Sequence, residues 1–448
     1  MSSNDDTRAE SSHPATLPKL PRRRRYRWLG AGMAIALITV GAWFLIVDEP
    51  PPDDADLLLP PIPHVAAADS VWIGLMELRT LISEVPPKGT WRMEYASVWK
   101  PQSLDNSTQI RELEERLAAY FDGPGRAIGG IEEILARSSL GTATDDPLDT
   151  AVGFREVGDA LNLLLDRALL ARLRGDADAC AADLLLLREA GEKLALEGKN
   201  LLEALVGLTY VQQSWNAIDS LLYDSVSSRG WEEEWLRHET LHERHPGIFA
   251  RVMRREYEYT SAALDQMQDS SFMALLKFKK NRTQRLVGEE YRALIARSAQ
   301  PPSKRGAPPL PPTARALQRD ALLHRNAGEW LIPHLAGAFE GALKSYDQSV
   351  LIERAGRTEL ALRIYERTHG AFPPDLETLV AAIDGLDAVP LDPYSGRALG
   401  YDRDLRIIYS VGADLVDQKG VCWPQLLAGK QDRFQHPDAV WLIPKVSE

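Results

Sequence analysis

Cysteine is scarce in this chain: Cys180 and Cys422 are the only two among 448 residues. A disulfide scaffold is thereby excluded, and at most one bridge could form. The recurrent nucleophile, phosphate and redox motifs are missing too. There is no G-x-S-x-G elbow, no Walker loop, no G-x-G-x-x-G opening a helix and no C-x-x-C pair. A basic excess is also lacking. Formal net charge is −12. About seven Lys and Arg stand against about three acids in residues 1–27, so the remainder carries roughly −16. A body this acidic argues against nucleic acid, whose binding needs a cationic footprint.

Long apolar runs are confined to one place, Trp28 to Val47, which reads WLGAGMAIALITVGAWFLIV without a charge. As a helix it would rise about 30 Å, the thickness of a bilayer's hydrocarbon core. Arg22–Arg25 and Arg27 precede it, and Asp48 and Glu49 follow it. The basic side stays cytoplasmic, so residues 28–47 are expected to cross a lipid bilayer once, with residues 1–27 as a cytoplasmic basic tail and the rest periplasmic in a bacterial inner membrane. A signal peptide is the alternative. It fits less well, because acids and Pro50–Pro52, not a small-residue cleavage site, follow the run.

Residues 48–64 hold many prolines and read as a stiff spacer without helix or strand, lifting the remainder off the membrane. From 65 to 350 the pattern is helical. Leu161, Leu164, Leu165, Ala168 and Leu169 recur at three-and-four spacing. Gly175-Asp176 stops one helix and starts the next, over about Ala177–Glu197; Gly198 closes that one, and a third covers Leu201–Leu222. Antiparallel pairs of this kind form αα-hairpins. Further helices are expected over Trp231–Glu243, Ile248–Met267, Phe272 to about Ala296, and about Thr313–Thr368 with an interruption near Pro333. A proline-rich break separates the last two. After Gly370 the character changes: a short helix over Asp375–Ile383, then turns, then short strands over Leu399–Asp402 and Arg406–Val411. The expected fold is mainly α, with a transmembrane helix, an αα-hairpin ectodomain and a small α+β module over residues 351–448.

That module carries Tyr365, Gly370, Pro373, Leu376 and Leu379, then Asp392-Pro393-Tyr394 with Gly396, then Tyr401 and Tyr409-Ser410-x-Gly412-x-Asp414. In this order the residues resemble the globular part of type II secretion pseudopilins, over roughly 60 residues. The family's leader and the glutamate that begins its mature helix are absent, so polymerisation into a pilus is not implied. The resemblance implies a secretion-associated envelope partner. It also implies a calcium site in the loop after the last strand, for which Asp414, Asp417 and Asp438 offer hard oxygen ligands.

One motif points to different chemistry. His238-Glu239-Thr240-Leu241-His242 matches H-E-x-x-H. On a helix, the two imidazoles share one face and can bind one zinc ion, and Glu239 would orient the metal-bound water of a metallopeptidase. Trp231 and Trp235 lie on the same stripe. Against this reading, Glu243 and Arg244 follow directly, Pro246 ends the helix, and the third ligand would be a distant acid such as Glu256, Glu258, Glu289 or Glu290. Eleven tryptophans also permit a glycan-binding surface, which requires some of them exposed. The preferred expectation is a non-catalytic, single-pass envelope scaffold. The zinc peptidase and the glycan binder are its alternatives.

Overall fold

Helices dominate the chain, and where each begins and ends follows from a few capping residues. The computed structural model describes residues 48–60, 65–82, 107–141, 153–223, 230–268, 278–305, 332–420 and 438–443. The helices are α1 (Val71–Leu81), α2 (Ser107–Asp122), α3 (Ile131–Leu135), α4 (Phe154–Leu173), α5 (Ala177–Glu197), α6 (Leu201–Leu222), α7 (Gly230–Arg237), α8 (Leu241–Arg244), α9 (Ile248–Gln268), α10 (Lys280–Ser298), α11 (Ile332–His369) and α12 (Leu376–Ala382). Three short strands complete the fold: β1 (Gly400–Asp402), β2 (Ile407–Ser410) and β3 (Ala439–Leu442). The expected transmembrane segment, 28–47, lies outside the described residues, as does Cys422; among the described residues no helix is long and apolar enough to cross a membrane.

Helices α4, α5 and α6 form the expected pair of hairpins. Gly175 takes a φ of 74° that other residues adopt at a cost, and Asp176 then caps α5 by accepting from the Ala179 N–H. Asn200 caps α6 in the same way through the Glu203 N–H. The α5–α6 crossing is close because two glycines meet there. A Cβ on Gly207 would stand 2.5 Å from the Gly191 carbonyl oxygen, and one on Gly191 would stand 2.7 Å from that of Gly207. No side chain fits between backbones at that distance.

Around this frame three large apolar cores form, with a fourth, small one where Leu113 and Leu117 of α2 meet Leu169 and Leu170 of α4. The first joins α1, α3, α4 and α5 through residues such as Trp72, Leu75, Ile131, Leu161 and Leu187. The second joins α6, α9, α10 and α11 through Leu208, Met253, Tyr291 and Leu343. The third runs from α5, α6 and α7 through α11 and α12 into the sheet, and includes Trp215, Trp235, Leu360, Leu379, Ile408 and Trp441. The boundary expected between residues 350 and 351 therefore falls inside α11, and the material on its two sides shares one core. Residues 51–448 form one compact unit.

The sheet is antiparallel in the order β1-β2-β3, with Tyr401 opposite Ile408 and Ile408 opposite Trp441. Two of its strands match the sequence expectation. The third, Ala-Val-Trp-Leu, comes nearly thirty residues after β2 and is an addition to it.

One expectation is corrected, and the glycan-binding alternative finds no support among the described residues. Residues 48–60 contain no helix or strand, as proline content requires, but they are not a free spacer: Asp54 and Leu57 are buried against α9 and α10. The described tryptophans, Trp72, Trp215, Trp231, Trp235 and Trp441, are all buried. Their indole area serves the core, so among the described residues no tryptophan platform faces solvent.

Candidate functional site

The H-E-x-x-H segment does not lie on one helix. α7 ends at Arg237, residues 238–240 leave helical geometry, and α8 restarts at Leu241. The cause is local. Thr240 is an N-cap whose hydroxyl accepts from the Glu243 N–H at 3.2 Å, while the Glu243 carboxylate accepts from the Thr240 N–H at 3.0 Å. This reciprocal capping box satisfies two backbone donors that a restarting helix otherwise leaves open. Its sequence cue, Thr-x-x-Glu at 240–243, overlaps the metal motif.

The break sends the three motif side chains to different surroundings. The Glu239 side chain is exposed, and its backbone carbonyl accepts from Arg188. His238 is half-buried and borders a groove of about 210 Å³, lined also by Arg188, Glu192, Lys193 and Arg244. His242 is turned inward, 8% exposed, with its ring edge-on to Tyr346 at 4.8 Å between centroids. Neither ring nitrogen has a hydrogen-bond partner, and Nε2 stands 3.9 Å from a Glu353 oxygen on α11. The two imidazoles thus do not share the i, i+4 face that a zinc helix provides. Among the described residues no three His, Cys, Asp or Glu side chains are grouped to hold a metal ion. The distant acids have other partners: Glu256 accepts from the Leu201 N–H at 2.7 Å, Glu258 from the Leu59 N–H at 2.7 Å, and Glu289 from Arg285 at 2.8 Å.

What the break does build is a buried ionic junction. Arg188 on α5 stands over the rings of Trp215 and Trp235, at 5.2 and 5.6 Å, which themselves meet edge to face at 5.0 Å, and it donates from Nε to Glu192 at 2.9 Å. Arg244 on α8 joins the same Glu192. Arg357 on α11 reaches the capping Glu243 and donates to the Leu236 carbonyl at 3.1 Å. One step along α11, Arg363 holds Glu232 of α7 at 3.1 Å, and Arg367 joins it. Charged partners from α11 therefore grip both sides of the α7–α8 break. The bonds to the buried Glu192 and Glu232 carboxylates gain from shielding from water, whereas Arg244 and Glu243 are 39% and 45% exposed and their bonds are screened by water.

Two titratable groups in this junction are strongly displaced. Burial pushes the His242 imidazole down to about 3, with Arg354 adding to the effect. Burial pushes the Glu353 carboxyl up to about 8; Arg188 opposes the rise, and Glu192 and Glu243 add to it. At neutral pH both are uncharged. A neutral imidazole facing a protonated carboxyl, both sealed from solvent, suits packing between helices and offers no route to a substrate.

In the C-terminal module, the residues singled out by resemblance come together. Asp392 is 1% exposed. Its carboxylate accepts from the Tyr394 N–H at 3.0 Å, the Ser395 hydroxyl at 2.9 Å, the Ser410 hydroxyl at 2.7 Å and the Val411 N–H at 3.3 Å. It clasps its own turn to the end of β2. Tyr401 donates to the Pro373 carbonyl at 3.0 Å, joining β1 to the residues before α12. Of the acids proposed for calcium, Asp414 and Asp417 follow β2 and Asp438 directly precedes β3. Asp414 and Asp417 cap turns at the Val416 and Lys419 N–H groups, at 3.0 and 2.9 Å, and Asp438 accepts from Gln418 and Gly420 at 3.1 and 2.9 Å. Burial raises the Asp438 carboxyl, and the neighbouring Asp417 and Asp414 raise it further. The residues between Gly420 and Asp438 lie outside the described residues.

Comparison with known proteins adds no name to this arrangement: no family model, curated protein or solved structure matches the chain.

Proposed function

We propose that this chain is a membrane-anchored scaffold of the bacterial cell envelope, with residues 28–47 in the inner membrane and the helical body in the periplasm. Its C-terminal module is pseudopilin-like and presents a contact surface to a secretion-associated envelope protein. The observation that carries this reading is the Asp392 clasp. It joins the Asp-Pro-Tyr-Ser-Gly turn to the Tyr-Ser-x-Gly-x-Asp segment, the two parts of the resemblance that lie furthest apart in kind, behind a long helix that stops at Gly370 with a φ of 73°. The buried junction at the α7–α8 break supports a structural role for H-E-T-L-H, since its charges face other charges of the same fold.

The reading is tested by placing a photo-cross-linking residue at Val416, which is 55% exposed at the tip of the loop after β2. Cross-linking in living cells is expected to give a discrete adduct with an envelope protein. Asp392→Ala, which leaves Ser410 unclasped, is expected to abolish the adduct while the chain still accumulates. An adduct spectrum identical to that of a label at the exposed Leu81 of α1 would overturn the reading.

A further inference from the structure

The residues just after the apolar run are built into the helical body. Arg292 on α10 spans two aspartates: it reaches Asp54 at 3.1 Å and grips Asp56 through two bonds of 2.7 and 2.9 Å. The Tyr257 hydroxyl donates to Asp54, and Gln284 adds a contact at 3.3 Å. Leu57 is 1% exposed, in the same core as Leu201 and Tyr257. The Leu59 N–H donates to Glu258 at 2.7 Å, and Arg255 donates to the Pro60 carbonyl at 2.9 Å. Residues 53–60 thus form a strap locked across the α9–α10 hairpin.

The strap shortens the free link. Between Val47 and the strap stand only residues 48–52, which at about 3.5 Å each reach at most about 20 Å. Two large apolar side chains remain outside at this end of the body. Leu58 is 54% exposed beside the buried Leu57, and Leu202 is 59% exposed beside the buried Leu201, at the start of α6. Arg251, exposed one helical turn before the Pro60-binding Arg255, adds a cation. The other end of α6 leads to the sheet, where the Tyr223 hydroxyl donates to the Leu442 carbonyl at 2.8 Å. With its 22 residues, α6 separates the two ends by about 33 Å.

We infer that the strap end of the body is a bilayer-contacting surface. Leu58 and Leu202 enter the interface of the membrane that holds residues 28–47, Arg251 meets anionic headgroups, and the strap keeps the sheet at the far end, away from the lipid. This rests on the anchor reading above. Single exposed leucines are ordinary on a protein surface, and Leu405 and Val416 are exposed at the sheet end too; what sets Leu58 and Leu202 apart is their place beside the short link to residue 47.

The test uses the full chain in vesicles of phosphatidylethanolamine and phosphatidylglycerol, with Cys180 and Cys422 replaced by alanine. An environment-sensitive fluorophore is attached at Leu58→Cys, Leu202→Cys or, at the sheet end, Leu405→Cys, and a headgroup-region nitroxide lipid is added as quencher. Flotation of the chain with the vesicles is scored first. The expected result is flotation, with quenching at positions 58 and 202 at least threefold that at 405. In the strap-release variant Asp54→Asn/Arg292→Ala, quenching at 202 is expected to fall to the level at 405 while flotation persists. A chain that floats with equal quenching at 202 and 405 overturns this inference alone. A chain that does not float overturns the anchor reading, and the inference with it.

Discussion

If residues 53–60 are part of the fold, removing the side chain of Leu57 must destabilise helices some 200 residues away. Leu57 is 1% exposed and packs in the core that contains Tyr257, Tyr291 and Leu343. A buried Leu→Ala change costs about 2–5 kcal/mol, the transfer term plus the cavity left behind. Loss of the strap's ionic bonds through Asp54→Asn adds about 1–3 kcal/mol on the scale of hydrogen bonds to charged groups; its partner Arg292 is one-third exposed, so the lower end applies. The two changes share a core and should not be additive. For the full chain in detergent, Leu57→Ala should lower the urea midpoint by about 0.7–1.7 M, taking an m of about 3 kcal/mol/M. Hydrogen exchange should report where the loss falls, with the largest drop in amide protection in α9 and α10 and little change in α1 and α4. A free proline spacer predicts the opposite, a midpoint within about 0.2 M of the parent and unchanged protection in α9 and α10. That result would refute the reasoning.

Three further outcomes are expected. Glu353 is raised from 4.5 to about 8 by burial, so its contribution to stability is complete below 4.5 and is lost as pH rises through about 8; His242, lowered from 6.5 to about 3, contributes above 6.5 and loses its contribution as pH falls through about 3. Glu256, raised by burial to about 7, adds a fall of its own, so the test is a difference: between pH 6.5 and 8 Glu353→Gln should lose about 2 kcal/mol less urea stability than the parent, and an unchanged slope in the variant would contradict the assignment. Gly207→Ala forces a methyl against the Gly191 carbonyl at 2.5 Å, and overpacking of this kind costs about 1–3 kcal/mol, measurable as a lower thermal midpoint, whereas Gly175→Ala, with open space around it, should cost only its backbone strain. The purified chain, dialysed against a weak chelator, should retain well below one zinc per molecule by elemental analysis; about one zinc, lost in His238→Ala/His242→Ala, would restore the peptidase.

Local punctuation made the hairpins legible in sequence. Gly175-Asp176 and Gly198 to Asn200 mark the ends of α4, α5 and α6 by their own chemistry, a left-handed glycine and side-chain caps, and need nothing from elsewhere in the chain. The α7–α8 break was hidden for the converse reason. The stripe of Trp231, Trp235, His238 and His242 keeps helical period through a segment that is not helical, and a four-residue capping box decides the outcome against that period. The strap was not legible because composition reports what residues 48–60 lack, a helix, and not what they bind; the deciding partners, Tyr257, Glu258 and Arg292, lie on helices far along the chain. β3 is likewise defined by pairing across a long connection, although Ala-Val-Trp-Leu-Ile has strand-like composition. The packing of the candidate site follows the same division. Glu353 reads as an ordinary helix residue and His242 as half of a metal motif, and only the meeting of α8 and α11 makes them a sealed neutral pair.

The account stands on the membrane anchor and the side of the membrane to which it delivers the body. Fusions after Glu448 test this most directly, one to alkaline phosphatase, active only outside the cytoplasm, and one to a fluorescent protein that matures only inside it. The account predicts strong phosphatase activity and a dark fluorescent fusion, with both chains in the membrane fraction. A fluorescent fusion together with an inactive phosphatase would contradict it.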